Sequence, residues 1–121
     1  MKDILVIDDA ATVRAYHKNI LVSADYNVDE AVNGIEAIEK IMQKQFALYI
    51  VDINMPKLDG YGFLKELRSM DVEQAPAIMV STESSEMDRQ KAFEYGANYY
   101  LIKPVKPEEL LTVVKLLAGG G

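Results

Sequence analysis

Short wholly apolar runs alternate along this chain with longer segments whose apolar residues recur every three or four positions. The first pattern suits strands buried on both faces and the second suits amphipathic helices. Strands are expected at 4–7, 27–31, 47–51, 77–80 and 99–102. Pro76 stands just before the fourth, where a missing N–H is tolerated. Helices are expected at 11–23, with Val13, His17, Ile20 and Leu21 on one face, and at 34–43, with Ile35, Ile38, Ile41 and Met42 inward. A third is expected at 61–69, anchored by Leu64 and Leu67, a fourth at 85–95, and a fifth at 107–118. Gly96 is placed to end the fourth, and Pro107 with Glu108 and Glu109 to begin the fifth. The fourth helix is very polar, with only Met87, Ala92, Phe93 and Tyr95 to bury. Such a segment is either a solvated helix or an element free to shift or to bind a partner.

Five β–α alternations with short connections predict an α/β fold, a doubly wound five-stranded parallel sheet flanked by five helices. The 121 residues suffice for one domain, expected over 1–118, with Gly119, Gly120 and Gly121 as a flexible tail. Half the residues are hydrophobic and the formal net charge is −6, a balance that disfavours direct nucleic-acid binding. No apolar run approaches the roughly 20 residues of a membrane span, and no signal peptide is legible, so a cytoplasmic location is expected. The absence of cysteine removes disulfides and thiolate metal sites.

The candidate chemistry sits where the strands end. Asp8 and Asp9 follow the first, Asp52 the third, Ser81 the fourth and Lys103 the fifth. Parallel strands deliver such residues to one edge of the sheet, where open α/β folds bind ligands. Taken singly, Asp8-Asp9 reads as a helix start, Lys103-Pro104 as a strand exit and His17 as a partly buried helix residue. Asp52, closing an apolar strand, is harder to explain without a site. Crowded carboxylates need a cation. An oxygen-rich, thiolate-free site suits Mg²⁺. Three carboxylates give −3, and Mg²⁺ with Lys103 gives +3, leaving a pocket able to accept a phosphoryl group.

Those residues, with the Asp52-Ile-Asn-Met-Pro56 string and the Asp59-Gly60 turn, resemble the receiver domains of two-component response regulators, and among them the CheY-like single-domain chemotaxis type. The resemblance covers 1–118 and implies the flavodoxin-like strand order 2-1-3-4-5. It also implies roles. Asp52 would accept a phosphoryl group from the phosphohistidine of a histidine kinase or phosphotransfer domain. Asp9 would ligate Mg²⁺ directly, Asp8 largely through water, and Asp52 with the Asn54 backbone carbonyl would complete the protein ligands. Lys103 would pair with the acylphosphate and Ser81 would hydrogen-bond it, its hydroxyl standing where many members have threonine. Tyr100 would turn inward from solvent on activation. Asn54 and Glu83 would tune hydrolysis, and the bulk of Thr82 would narrow access. Lys103-Pro104 resembles the family's cis peptide. Output would pass to a protein target through the face made by the fourth helix, fifth strand and fifth helix.

The resemblance implies no enzyme beyond self-phosphorylation and dephosphorylation, and no DNA-binding segment after the fifth helix. A receiver serving a non-chemotaxis phosphorelay or a transcriptional regulator is the near alternative. An aspartate phosphatase of the haloacid dehalogenase type would want a second acid where Asn54 stands, and a flavodoxin-like flavin binder would find Asp8-Asp9 repelling its phosphate.

Overall fold

The structure, a computed structural model, describes residues 1–120. Its elements alternate without interruption: β1 (Asp3–Ile7), α1 (Ala11–Ser23), β2 (Asn27–Ala31), α2 (Gly34–Gln43), β3 (Leu48–Asp52), α3 (Gly60–Ser69), β4 (Ala77–Ser81), α4 (Glu86–Glu94), β5 (Tyr99–Ile102) and α5 (Pro107–Ala118). All strand pairings are parallel, in the order β2-β1-β3-β4-β5. Fold class and strand order are as expected. Boundaries move by one or two residues; β3 takes in Asp52, β4 takes in Ser81, and α4 is the shorter segment.

The central strands are buried on both faces because helices cover both. Alternation along each strand sorts side chains into two cores. Leu5, Ile7, Tyr49, Val51, Met79 and Tyr100 pack toward α2, α3 and α4. Ile4, Val6, Leu48, Ile50, Ile78, Val80 and Leu101 pack toward α1 and α5.

Helix starts are specified by local side chains. The carboxamide of Asn33 accepts from Glu36 N–H, Asp59 from Gly62 N–H at 2.8 Å, and Ser85 from Asp88 N–H, opening α2, α3 and α4. Gly96, at φ 109, ends the α4 segment in a conformation that suits glycine.

Three burial expectations need correction. In α2 the inward stripe is Gly34, Ala37, Ile38 and Ile41, while Ile35 and Met42 are exposed. Gly34 decides this, because its N–H donates to Leu58 O and a Cβ there would lie 2.7 Å from that oxygen. The docked backbone turns residues 35 and 42 away from the sheet. In α4 only Ala92 is buried; Met87 is 82% exposed and Phe93 is exposed, while Tyr95 is partly buried. What holds α4 is aromatic: Tyr95 lies 5.2 Å from Tyr61 of α3, and Lys91 Nζ stands 4.4 Å above the Tyr61 ring. At the C-terminus, Gly119 is not loose, since its carbonyl accepts from the Tyr26 hydroxyl. Gly121 lies outside the described residues.

Candidate phosphoacceptor and metal site

Strand parity decides which end residues meet. Asp8 continues the phase of Ile4 and Val6, Asp52 that of Leu48 and Ile50, and Lys103 that of Leu101, all on the α1–α5 side. Ser81 and Tyr100 have the opposite phase, on the side of α4. Order and register then bring the three charged groups together. Lys103 Nζ donates to Asp52 Oδ1 at 2.9 Å and to Asp8 Oδ2 at 3.0 Å. The pairs are sheltered, with side chains 19% exposed for Lys103, 8% for Asp52 and 3% for Asp8.

One ammonium thus serves two buried carboxylates, and this arrangement bears on the titration of Asp52 and of Lys103. Burial pushes the Asp52 carboxyl above its ordinary value; the Lys103 hydrogen bond opposes this, and the charges of Asp8 and Asp9 reinforce it. Burial alone would lower the Lys103 ammonium, but its bonds to Asp52 and Asp8 outweigh that and hold it high. The cation is doubly stabilised while the carboxylates share it, so the site carries an excess of negative charge.

Asp9 completes the acid cluster from the exposed side. Carboxylate oxygens of Asp8, Asp9 and Asp52 all lie within 4.8 Å of one another. An all-oxygen donor set with one open, solvent-facing member fits a hard divalent cation that keeps part of its water shell. Asn54, just beyond Asp52, is exposed at the rim. The loop that carries it is closed by Gly60, whose N–H donates to Ile53 O at 2.8 Å. A Cβ on Gly60 would fall 2.5 Å from Asp52 O, so no other residue fits under the end of β3.

On the α4 side the Ser81 hydroxyl accepts from Glu83 N–H at 3.0 Å, leaving its own proton free to donate. Thr82 and Glu83 are exposed. The expectation that Tyr100 starts in solvent is corrected: Tyr100 is 2% exposed and its hydroxyl donates to Glu83 O at 2.8 Å. The parity that sends Ser81 toward α4 sends Tyr100 there as well, under the ring-stacked Arg89 guanidinium 5.4 Å away. The Lys103–Pro104 peptide is cis, as the resemblance implies.

Sequence reasoning passed over two residues that shape the site. Arg14 Nη1 donates to Asp8 O at 2.8 Å, and the Tyr16 hydroxyl donates to Val105 O at 2.7 Å. Their signal was weak: each is one polar residue on the face of α1, with nothing local to name its partner. His17 is buried with Nδ1 unpartnered, and it lines a cleft of about 490 Å³ beside Lys103, Pro104 and Val105.

Residues 4–115 match the response regulator receiver domain family. Over 114 residues, 94% of this chain and 47% of the relative, the sequence is 36% identical to transcriptional regulatory protein ResD of Bacillus subtilis. It is 35% identical over 115 residues to SrrA of Staphylococcus aureus, covering 95% of this chain and 47% of that protein. The chain therefore spans about half the length of these curated relatives. Chemotaxis protein CheY4 of Vibrio cholerae superposes with a TM-score of 0.91 at 33% identity, over 97% of this chain and 98% of that one. The receiver domain of a Pseudomonas aeruginosa sensor histidine kinase, solved with a magnesium ion coordinated in its active site cleft, superposes with a TM-score of 0.90 at 27% identity, over 98% of both chains. With its sheet order, its acid cluster and its lysine in place, the chain belongs to the response regulator receiver domain family of two-component signalling.

Proposed function

We propose that this chain is a phosphorylation-driven switch in which Asp52 accepts a phosphoryl group, with Mg²⁺, from the phosphohistidine of a histidine kinase or phosphotransfer domain. One observation carries the reading: Lys103 reaches across the end of β4 to bridge Asp52 and Asp8. In the transfer an Asp52 oxygen attacks phosphorus in line, the P–N bond breaks, and the imidazole leaves with its electron pair and takes a proton. Such chemistry needs positioning and charge neutralisation more than covalent help. Asp8, Asp9, Asp52 and the Asn54 carbonyl would hold Mg²⁺, which when bound supplies Lewis-acid neutralisation of phosphoryl oxygens. Lys103 would turn from the carboxylates toward the new phosphoryl charge, and the free Ser81 proton would donate to it.

Output is assigned to the α4–β5–α5 face and a protein target. The chain turns over no other substrate; water positioned by Asn54 and Glu83 ends the signal. Chemotaxis signalling is the pathway the Asn54 and Glu83 pair favours. The likeness to ResD and SrrA, transcriptional regulatory proteins, favours the second reading, a receiver acting in transcriptional control. Acetyl phosphate with Mg²⁺ should add one acid-labile phosphoryl group by intact mass. Asp52→Ala should take none, and labelling that persists in that variant refutes the acceptor. Presenting the labelled protein to a flagellar switch protein and to a DNA-binding output segment separates the pathways.

A further inference from the structure

Every polar backbone and side-chain atom of Asp8 is occupied. Its N–H donates to Ala31 O at 3.1 Å, Oδ1 accepts from Ala10 N–H at 2.9 Å, and Oδ2 accepts from Lys103 at 3.0 Å. The remaining carbonyl accepts from Arg14 Nη1 at 2.8 Å. That carbonyl belongs to the peptide joining Asp8 to Asp9. Arg14 therefore grips the plane from which the Asp9 side chain departs, whereas Asp9 itself is exposed.

Arg14 is in turn held from its other edge. Its Nε donates to Glu30 Oε1 at 3.1 Å, and its side chain is only 15% exposed. Glu30 stands on β2, one residue before the Ala31 carbonyl that pairs with Asp8 N–H. Lys18 Nζ approaches the other Glu30 oxygen at 3.3 Å, and Lys40 Nζ donates to the Glu30 carbonyl. Those bonds to Arg14 and Lys18 overcome burial and keep the Glu30 carboxyl below its ordinary range. The planar guanidinium thus spans two elements, with separate N–H groups on Glu30 and on the Asp8 carbonyl, a bridge that a point-charge lysine cannot reproduce.

We infer that Arg14, anchored by Glu30, is a positioning residue that orients the Asp8–Asp9 peptide and so presents the Asp9 carboxylate to a divalent cation. This rests on the metal reading above and adds to it a residue outside the acid cluster. Geometry and charge predict opposite effects here. A guanidinium beside an acid cluster repels an incoming cation, so on charge alone its removal tightens binding. If its task is orientation, removal weakens binding, by about 10-fold where such supporting partners have been replaced.

The test is Mg²⁺ titration by calorimetry of wild type, Arg14→Met, Arg14→Lys and Lys18→Met. It is joined to amide NMR of the metal-free proteins. Orientation predicts a Kd about 10-fold higher in Arg14→Met, an intermediate value in Arg14→Lys, and no change in Lys18→Met, which removes the other cation on the Glu30 carboxylate without touching Asp8. The Asp9 and Ala10 amide signals should shift in metal-free Arg14→Met and not in Lys18→Met. Unchanged or tighter Mg²⁺ binding in Arg14→Met overturns the inference. If that variant does not fold, wild-type affinity in Arg14→Lys overturns it equally. A wild type that takes up no Mg²⁺ overturns the metal reading itself, a result visible before any variant is made.

Discussion

The Tyr100 hydroxyl donates to the Glu83 carbonyl at 2.8 Å, and the same residue's N–H is taken by Ser81 Oγ. The loop after β4 is thus fastened through one backbone unit to both groups that face α4. Tyr100→Phe should remove one partly buried hydrogen bond and cost about 1 kcal/mol in urea unfolding. Its amide shifts should appear at residues 81–95, with none at 27–43. Shifts spread evenly over the chain would count against this fastening.

Lys103 is the shared ion-pair partner of two sheltered carboxylates. Lys103→Met should destabilise the metal-free protein at neutral pH by about 3 kcal/mol, the scale of a broken buried pair. Asp9→Asn should act in the opposite direction, raising metal-free stability while abolishing tight Mg²⁺ uptake. Denaturant titration with and without Mg²⁺ reads both. Lys103→Met should still take some phosphoryl group from acetyl phosphate, since Asp52 remains.

Phosphoryl lifetime should depend on Glu83. Its side chain is exposed and its backbone is pinned by Ser81 and Tyr100, so replacing the side chain leaves the loop in place. Glu83→Leu should slow loss of the label, followed by intact mass after acetyl phosphate is removed. Equal decay rates would leave Glu83 with no part in hydrolysis.

His17 gives acid sensitivity of defined sign. Burial lowers its pKa below the ordinary 6.5, Asp8 opposes that, and Lys103 adds to it. The unfolded chain therefore takes up the proton first. The stability contributed by the neutral ring is complete above pH 6.5 and is lost as pH falls through the folded value. Asp52 has the opposite sign: its raised pKa contributes stability that is complete below its ordinary 3.8 and is lost as pH rises through the folded value. Stability of wild type minus His17→Leu, measured from pH 7 downward, should decline with acidification. A flat difference would remove His17 from the acid response.

Gly60→Ala should damage both fold and chemistry, because the new methyl meets Asp52 O at 2.5 Å and Ile53 Cα at 2.9 Å, neither of which can yield as a side chain could. A cost of about 2 kcal/mol is expected for such overpacking, together with slower labelling of Asp52. Gly120→Ala, with open space around it, is the control.

The sheet and the charged cluster were legible because both follow from period. Apolar runs of four or five residues ending in Asp8, Asp52 and Lys103 announce parallel strands whose ends converge. The inward faces of α2 and α4 were less legible. Ile35 and Met42 are as apolar as Ile38, and only the docking of Gly34 against Leu58 decides between them. Met87 and Phe93 invite burial that α4 does not provide, since its hold on α3 comes from Tyr61, Tyr95 and Lys91. Arg14 was invisible for a related reason: its partners are a carbonyl on one neighbouring element and a carboxylate on another, 16 residues along the chain.

Because side chains alternate along a strand, Val80 and Ser81, or Tyr100 and Leu101, look into different halves of the molecule although they are adjacent in sequence. The sheet therefore works as an insulating partition. The Lys103 ion pairs lie on one side, and the Ser81 hydroxyl and the Tyr100 ring on the other, although neighbouring residues of one strand face both. Substitutions in the α2–α4 half can therefore repack that core while the ion pairs of Lys103 in the other half keep their partners.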